Sequence, residues 1–426
     1  MEKQSASRTL NRLATVRDGG VLVAKHYEGV NRAAKQGECV GWLFAESPRE
    51  LFKVAGIHSI ASGNWGARAG ALRANAVLLE AAESEGFPRF MCPYMKGLIG
   101  HAILIARDET DKIPPEIRLP KPSFMGGWNR CSQGQQCMEA VNYYLKPKVS
   151  TFVIDTPHVY DDKDLEKVVG YVVLQMEDLI GFIERLTGRP YPWAKLCEWT
   201  RTIRDIAIMR EEIWQLAQAK PTPMTMGDWA VALGAVTGAR DDLSSIQFFK
   251  KLKTEVEDRV KNGVGSVPDE EIRIMWHELL VWHSFGSLTK AAASLGCVMI
   301  PGSYILWDNR PELIDPERPL WSMVQSYIYV MTGRSMEYNL RERVKRRAIP
   351  YNVDGVIFST SPSCKNFSKC AYVLKEQFES DTGIPGVVVS ADHCDSRFHN
   401  EDELEQTLST FIDIIKARKD KHLKEL

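Results

Sequence analysis

Short apolar runs alternate with amphipathic segments towards both ends of this 426-residue chain, and this alternation constrains the fold more than any other feature. Runs rich in Val, Ile and Phe predict strands, the longer periodic segments between them predict helices, and strands separated by helices form parallel sheets. We therefore predict an α/β protein with strands at CVGWLFA (39–45), SFMGGW (123–128), TFVID (151–155), CVMIPGSY (297–304), GVIFST (355–360) and GVVVSAD (386–392).

The middle of the chain lacks this alternation, because almost every residue from Pro190 to about Asn262 has helical spacing. Elsewhere, single helices are predicted over 68–86 and over 162–188, where Gly188 ends the second helix. A chain of this length suggests two or three domains. We predict two Rossmann-like (flavodoxin-like) parallel-sheet lobes, with the following organisation: an N-terminal helical arm (1–36), a first α/β lobe (37–190), a helical connecting segment (191–265) and a second α/β lobe (266–426).

Charge and hydropathy exclude two classes of partner. Lys and Arg total 54 against 55 Asp and Glu, so the net charge is -1. The chain therefore lacks the excess of positive charge that is typical of nucleic-acid-binding proteins. No apolar run reaches the length of a membrane span, and the first residues lack the apolar region of a signal peptide. We expect a cytoplasmic protein, whose 9 cysteines need an explanation other than disulfides.

Familiar catalytic motifs are absent from the sequence. There is no glycine-rich dinucleotide fingerprint, no Walker A segment and no Gly-x-Ser-x-Gly elbow. The stretch HELLVWH (277–283) has its two histidines six residues apart, so they would not share one face of a zinc-binding helix. We expect His277 and His283 to be polar surface or site-lining residues.

Three cysteines lie where a ligand site is expected. Cys131 follows the strand 123–128, Cys364 follows the strand 355–360, and Cys92 begins the segment CPYMKGLIG. In open α/β sheets, ligands bind outside the carboxyl ends of strands, and two such ends can face each other across a cleft between lobes. A thiolate cluster there would suit an iron–sulfur cluster. The alternative is that each cysteine is a small buried hydrophobe.

The other cysteines leave part of this question open. A structural zinc site usually draws on Cys-x2-Cys pairs, whereas Cys131 to Cys137 and Cys364 to Cys370 are more widely spaced. Sequence context assigns Cys39, Cys197 and Cys297 to packing and leaves Cys394 undecided. The sequence does not decide whether Cys137, Cys370 or Cys394 joins a cluster.

Several segments, taken in order, resemble the larger-subunit type of the 2-hydroxyacyl-CoA dehydratase and benzoyl-CoA reductase family. The resemblance extends over about residues 39–415 and is marked by MCPYMKGLIG, LPKPSFMGGWNRC, TFVIDTP, RIMWHELLVW, DGVIFSTSPSCK and GIPGVVVSADHCDSR. It implies a [4Fe–4S] cluster held by Cys92, Cys131 and Cys364. It also implies low-potential, ketyl-radical chemistry on an acyl-CoA thioester, a related smaller subunit and a separate ATP-hydrolysing iron–sulfur activator.

Three functions stay open on this resemblance. The first is a catalytic subunit of a 2-hydroxyacyl-CoA dehydratase, the second a subunit of an aryl-CoA reductase such as benzoyl-CoA reductase. The third is a non-catalytic electron-transfer subunit. The sequence does not identify the thioester or the subunit stoichiometry.

Residues around the predicted strand ends are candidates for the substrate site. We predict that Ser363 donates a hydrogen bond to a developing oxyanion in catalysis, although the serines there can also cap the next helix. The predicted substrate-binding residues are Trp128, Asn129, Tyr304 and Trp307. The alternative for Trp307 is a core position. His277, His283 and Glu278 are possible proton carriers.

Overall fold

The structure is a computed structural model of the chain. It describes residues 9–44, 47–239, 244–306, 310–330, 334–398 and 400–425. Trp307, one of the predicted substrate-binding residues, lies outside these ranges. Two four-stranded parallel sheets form among many helices, which confirms the predicted α/β fold. No helix within the described ranges has both the length and the apolar content that crossing a bilayer requires.

The first sheet has the strand order β2-β1-β3-β4, with every neighbouring pair parallel. Its strands are β1 (Val40–Phe44), β2 (His58–Ala61), β3 (Phe124–Asn129) and β4 (Ser150–Asp155). In the described ranges, seven α-helices precede, connect or directly follow these strands: α1 (Val16–Lys35), α2 (Arg49–Val54), α3 (Ser62–Ala71), α4 (Ala76–Ser84), α5 (Pro93–Ala106), α6 (Ser132–Tyr144) and α7 (Leu165–Thr187).

Helices alone connect the two sheets, as the helical spacing from Pro190 onwards predicts. They are α8 (Trp193–Leu216), α9 (Met226–Ala239) and α10 (Ser244–Lys261). The N-terminal helix α1 packs against α9 through its apolar face, where Val23 and Tyr27 are buried. This contact needs a glycine at position 19, since a Cβ there would lie 2.7 Å from Val231 Cγ1.

The second sheet repeats the first, with the order β6-β5-β7-β8 and parallel pairing throughout. Its strands are β5 (Ile272–His277), β6 (Cys297–Pro301), β7 (Gly355–Thr360) and β8 (Gly386–Ser390). The accompanying helices are α11 (Phe285–Ser294), α12 (Ser303–Leu306), α13 (Pro319–Val330), α14 (Met336–Tyr338), α15 (Arg346–Ala348), α16 (Lys365–Ser368), α17 (Ala371–Thr382) and α18 (Glu401–Glu425), and a π-helical turn (Asn339–Lys345) joins α14 to α15.

One hydrophobic core extends through both sheets. Trp42 of β1, Met275 of β5 and Ile357 of β7 belong to the same buried cluster. A second cluster lies between β3, α7 and α13 and includes Phe124 and Val324. The two sheets are therefore held together by apolar burial, which orients the carboxyl ends of their strands relative to each other.

The sequence missed two strands and one helix break. β5 contains Arg273 and His277, which interrupt the apolar pattern of a strand that is nonetheless fully buried. Arg273 is tolerated there because its guanidinium donates to the carbonyls of Gln218, Ala219 and Tyr351. The missed β2 is only four residues long. The single helix predicted over 68–86 is in fact α3 and α4, and Arg73 between them has φ +53°.

Candidate functional site

Each of the three predicted cysteine ligands is the N-cap residue of a helix. Cys92 precedes α5, Cys131 connects β3 to α6, and Cys364 lies between β7 and α16. The first N–H groups of a helix have no partner within the helix and carry a partial positive charge, which stabilises thiolates. The local fold thus presents all three sulfurs at helix starts.

The three thiols lie close enough to interact electrostatically. Removal from water raises the pKa of Cys92 well above its usual value, Cys364 and Cys131 raise it further, and the backbone N–H groups of Met95 and Tyr94 lower it. Burial likewise raises the pKa of Cys364 to about 11, with a contribution from Cys131. Binding of an electropositive group is what would convert these thiols to thiolates.

Gln133 links the backbone around all three cysteines. It lies in the first turn of α6, two residues after Cys131. Its Oε1 accepts a hydrogen bond of 2.7 Å from the Cys92 N–H, and its Nε2 donates to the Ser363 carbonyl at 3.2 Å. One side chain of the first lobe therefore fixes the spacing between the cysteine segments of both lobes.

A buried polar network from the second lobe extends to the Cys92 sulfur. The Sγ of Cys92 lies 3.7 Å from Nε2 of His393, whose Nδ1 lies 3.0 Å from the Ser361 hydroxyl. The Ser361 hydroxyl donates to Asp392 Oδ2 at 3.2 Å, and the Ser363 hydroxyl donates to the same oxygen. The two serines, Asp392 and His393 are each at most 2% exposed.

This network orients His393. Burial lowers the pKa of His393, and the nearby carboxylates of Asp392 and Asp395 only partly oppose this effect. Burial alone would raise the pKa of Asp392, but His393 and the Ser363 hydroxyl lower it below its usual value. Asp392 therefore stays ionised and holds the serine hydroxyls and the imidazole in place.

Two further cysteines near the site have their thiol protons engaged elsewhere. Cys137 donates to the Met95 carbonyl, and Cys394 donates to the Gly66 carbonyl, both at 3.3 Å. Both side chains are buried, and burial raises the pKa of each thiol well above its usual value. These contacts are those of packed thiols and not those of metal ligands.

The three cysteines supply soft sulfur donors of the kind that hold iron–sulfur clusters. Within the described ranges, no three His, Cys, Asp or Glu side chains are arranged to hold one metal ion. In an iron–sulfur cluster the cysteines bind separate iron atoms, so their sulfurs need not converge on one point. Three soft thiols at helix starts, drawn from both lobes, match that requirement.

A cavity of about 200 Å³ lies next to Tyr94, two residues after Cys92, and none of the three cysteines is among its described lining residues. It is at the carboxyl ends of β2, β5 and β6, and Tyr304 and Trp282 form part of its wall. Trp282 donates a hydrogen bond of 2.6 Å to the hydroxyl of Tyr94, which also lies 3.5 Å from the hydroxyl of Tyr304. The Tyr94 ring packs edge-on against His393, with 4.6 Å between ring centroids.

The other predicted site residues lie in different surroundings. Trp128 is buried in the second core cluster, 5.0 Å from the Tyr327 ring between centroids. The Asn129 amide, at the end of β3, donates to Asp155 at 3.2 Å. The Ser363 hydroxyl proton is directed at Asp392. Of the three predicted substrate-binding residues that the structure describes, Tyr304 is the one that lines the cavity.

The possible proton carriers are buried. The imidazole of His283 lies between the Ser284 hydroxyl and the Asp392 carbonyl, at 2.7 and 3.2 Å. Glu278 follows β5 with φ +72°, a strained value for a non-glycine residue, and its carboxylate accepts from Arg343 at 3.1–3.2 Å. His277 Nε2 lies 3.1 Å from the same carboxylate, so all three of these predicted carriers lie inside the protein and not on its surface.

Sequence reasoning missed Gln133, Asp392 and His393 as site residues. Asp392 and His393 belong to SADHCDSR, directly after β8, so the rule that ligands bind at strand ends could have found them. Gln133 had no such signal, because a glutamine in the first turn of a helix is ordinary in sequence.

Comparison with known proteins gives one consistent result. The family model for the 2-hydroxyglutaryl-CoA dehydratase D-component matches residues 45–415. The chain is 24% identical to the alpha subunit of (R)-2-hydroxyisocaproyl-CoA dehydratase from Clostridioides difficile, over 93% of this chain and 95% of the relative. It is 23% identical to the alpha subunit of lactoyl-CoA dehydratase from Anaerotignum propionicum, over 92% and 94%. It is 22% identical to a benzoyl-CoA reductase subunit from Thauera aromatica, over 79% of each chain.

Proposed function

The chain belongs to the 2-hydroxyglutaryl-CoA dehydratase D-component family of enzyme subunits, and from this premise we propose that it is the iron–sulfur catalytic subunit of a 2-hydroxyacyl-CoA dehydratase. Its substrate would be an acyl-CoA thioester, and its cofactor a [4Fe–4S] cluster held by Cys92, Cys131 and Cys364. Relatives are named for lactoyl-, 2-hydroxyisocaproyl- and benzoyl-CoA compounds, which differ mainly in the acyl group.

One observation supports this proposal most directly. Cys92, Cys131 and Cys364 come from three separate helix starts, yet Gln133, two residues after Cys131, bonds both the Cys92 N–H and the carbonyl of Ser363, which precedes Cys364. Cys131 and Cys364 lie just beyond the carboxyl ends of β3 and β7, where ligands bind in open α/β sheets. Three thiol ligands would leave one iron of a cubane cluster open to substrate.

The bound cluster would supply low-potential, single-electron chemistry that reduces the thioester to a ketyl radical. The chain itself would bind and orient the substrate. Gln133 would keep the cysteine segments at a fixed spacing, and His393 would face the Cys92 sulfur. Ser363 is proposed as a donor to the developing oxyanion, a role in which its hydroxyl would have to turn away from Asp392.

The proposed partners follow from the names of the relatives. An alpha subunit and a D-component imply a second subunit, which we propose to be related and smaller. The contact between the two should be of obligate size, above roughly 2,000 Å². A separate ATP-hydrolysing iron–sulfur activator would deliver the electron. Co-purification from the native source, with both bands identified, tests the pairing, and a protein that stays monomeric at all concentrations contradicts it.

A subunit of an ATP-dependent benzoyl-CoA reductase is the second candidate. The similarity to the benzoyl-CoA reductase subunit from Thauera aromatica favours it, although that match covers less of each chain than the dehydratase matches do. In both candidates the cysteine site would be the same. The difference would lie in whether the acyl pocket takes a hydroxyacyl chain or a flat ring.

The deciding experiment supplies the reduced complex and its activator with ATP and a set of CoA thioesters. Consumption of a 2-hydroxyacyl-CoA with formation of the enoyl-CoA supports the dehydratase. Loss of ring unsaturation from benzoyl-CoA supports the reductase instead. A cluster that exchanges electrons while no thioester is consumed or bound would mean a non-catalytic electron-transfer subunit.

A further inference from the structure

The cavity next to Tyr94 has walls made by three helices. Gly20 and Val23 come from α1, Ala67 comes from α3, and Leu233 and Gly234 come from α9. These residues are small or apolar, so the helices leave space between them and present little polar surface to it. The cavity volume of about 200 Å³ is below the roughly 300–1,000 Å³ of pockets that enclose a whole drug-sized ligand, so the cavity suits one part of a ligand, such as an acyl group.

The polar side chains in this wall are paired with one another. The Asn64 Oδ1 accepts from the Tyr27 hydroxyl at 2.7 Å, and its Nδ2 donates to the Thr237 hydroxyl at 2.9 Å. The Thr237 hydroxyl in turn donates to the Leu233 carbonyl. These groups stabilise the wall, and a ligand gains little by competing for them.

Charge is nearly absent from the wall. Among the described lining residues, Arg68 is the one with a formal charge. Its Nε donates to the Glu116 carbonyl at 3.2 Å, and its guanidinium lies 5.6 Å from the centroid of the Tyr27 ring. Arg68 is only partly buried, so a carboxylate bound away from it, among the apolar side chains of the wall, would lose its hydration without gaining an ionic partner.

Two side chains, Tyr94 and His393, separate the wall of the cavity from the Cys92 sulfur. Trp282 and Tyr304 line the cavity, and both are in polar contact with the Tyr94 hydroxyl. The other side of Tyr94 is against His393, which faces the Cys92 sulfur. A thioester bound near the cysteines would therefore have this cavity within reach of its acyl group.

We infer that the cavity binds the acyl group of the thioester, and that this group is a branched aliphatic or aromatic one without a second carboxylate. The inference rests on the proposed function and narrows its substrate class. A small acyl group would leave most of the cavity unfilled, and a dicarboxylic one would bury an unpaired charge. A bulky apolar group would gain binding energy from each carbon it buries.

The test measures binding of CoA thioesters to the full chain by titration calorimetry. The probes are phenylacetyl-, isovaleryl-, propionyl- and glutaryl-CoA, which need no turnover to report affinity. We expect the phenylacetyl and isovaleryl thioesters to bind at least about tenfold more tightly than the other two. Tightest binding of glutaryl-CoA, or equal binding of all four, overturns the inference.

Glycine substitutions show whether the selectivity comes from this cavity. Gly20→Leu and Gly234→Leu each place a side chain in the cavity. A Cβ at position 20 would meet no atom within 4 Å, and a Cβ at position 234 would meet only Val23 Cγ2, at 3.4 Å. Both should weaken phenylacetyl-CoA binding by about tenfold while propionyl-CoA binding changes little. Gly29→Leu is the matched control, since it lies on the same helix outside the cavity and its Cβ meets only Arg32 Nη2, at 4.0 Å.

The outcomes separate this inference from the proposed function. If the parent chain binds no CoA thioester, the proposed function itself fails. If it binds thioesters but both glycine variants bind phenylacetyl-CoA at the parent level, the cavity is not the acyl site and only the inference is overturned. Thermal unfolding of each variant verifies that it is folded.

Discussion

The ammonium of Lys96 on α5 lies 3.6 Å from the carboxylate of Asp395, which follows β8 in the second lobe. The Lys96 side chain is fully buried and also contacts Glu83 at 2.7 Å, while Arg397 pairs with both Glu83 and Asp395. This four-residue network joins the two lobes one helical turn after Cys92. It holds the helix that presents the Cys92 thiol against the segment that contains His393.

Replacing Lys96 by Met tests this network. The variant leaves Asp395 and Glu83 with only Arg397 as a cationic partner, and we expect it to lose about 3 kcal/mol of unfolding free energy. Urea denaturation measures the loss. Lys112→Met is the control, because its ammonium is 54% exposed and pairs with Glu109 at the surface, where such pairs contribute about 1 kcal/mol or less. Equal effects of the two substitutions would contradict the prediction.

Acid should weaken the fold through Glu278. Burial by itself raises the pKa of this carboxyl, but the charges of Arg343 and His277 outweigh burial and lower it from 4.5 to about 2. A lowered pKa in the folded state means that the stabilisation is present above about pH 4.5 and is lost as the pH falls towards 2. The loss should be on the order of 3 kcal/mol.

The pH dependence of the unfolding midpoint measures this effect. Glu278→Gln should be less stable than the parent at neutral pH and should lose less stability than the parent as the pH falls through that window. Glu337→Gln, at an exposed position, is the matched control and should follow the parent curve. Parallel curves for the parent and Glu278→Gln would show that this carboxylate contributes nothing to acid sensitivity.

Iron content tests the three proposed ligands. Cys92→Ala, Cys131→Ala and Cys364→Ala should each lose iron and sulfide from anaerobically purified protein, because each removes one of the three proposed thiolate ligands. Cys197→Ala on α8, away from the site, should keep both. Full iron content in Cys364→Ala would remove that residue from the ligand set.

The same analysis applies to the packed cysteines. Cys137→Ala and Cys394→Ala should retain iron, since both thiols already donate to backbone carbonyls. Each variant should instead lose some stability, on the order of 1 kcal/mol, by removing a buried sulfur. Loss of iron from either variant at unchanged stability would make that cysteine a ligand.

His393 should affect the redox potential of the proposed cluster. Nε2 of His393 faces the Cys92 sulfur, and in the tautomer that carries the proton on Nε2 its N–H would stabilise the more negative, reduced state of the cluster; on that tautomer, His393→Leu should shift the midpoint potential to a more negative value. A redox titration followed by electron paramagnetic resonance measures the shift. His393→Gln retains a donor and should recover part of the parent potential, whereas identical potentials in all three proteins would rule out this role.

Ser363→Ala should lower turnover with the correct thioester while iron content stays unchanged. The substitution removes a hydroxyl beside Cys364 and leaves Asp392 Oδ2 with Ser361 as its remaining serine donor. Loss of a preorganised donor to an oxyanion costs about 3–4 kcal/mol of barrier. Ser294→Ala, an exposed helical serine that bonds only its own helix, is the control. Turnover and affinity at the parent level in Ser363→Ala would make Ser363 only a structural residue.

Local sequence patterns determined the secondary structure around the site. GVIFST is an apolar run bounded by Gly and by a Ser- and Pro-containing turn, and it forms β7 over the predicted residues. The cysteines after β3 and β7 were identified because strand ends and helix starts are set by neighbouring residues. β5 was missed because the burial of Arg273 depends on carbonyls from three distant residues, which no local pattern contains.

Only the tertiary structure decided the contacts between residues that are far apart in the chain. His393 and Cys92 are separated by 301 positions, and Asn75 and Cys394, joined by a side-chain hydrogen bond, by 319. The sequence by itself determined two parallel sheets, a helical connection and two cysteines that follow strands β3 and β7. The way in which the two sheets bury one shared core decides which sulfurs come together, which are packed and where a cavity remains. Burial of apolar surface is non-directional, so it fixes the position of a residue only when the whole chain is packed.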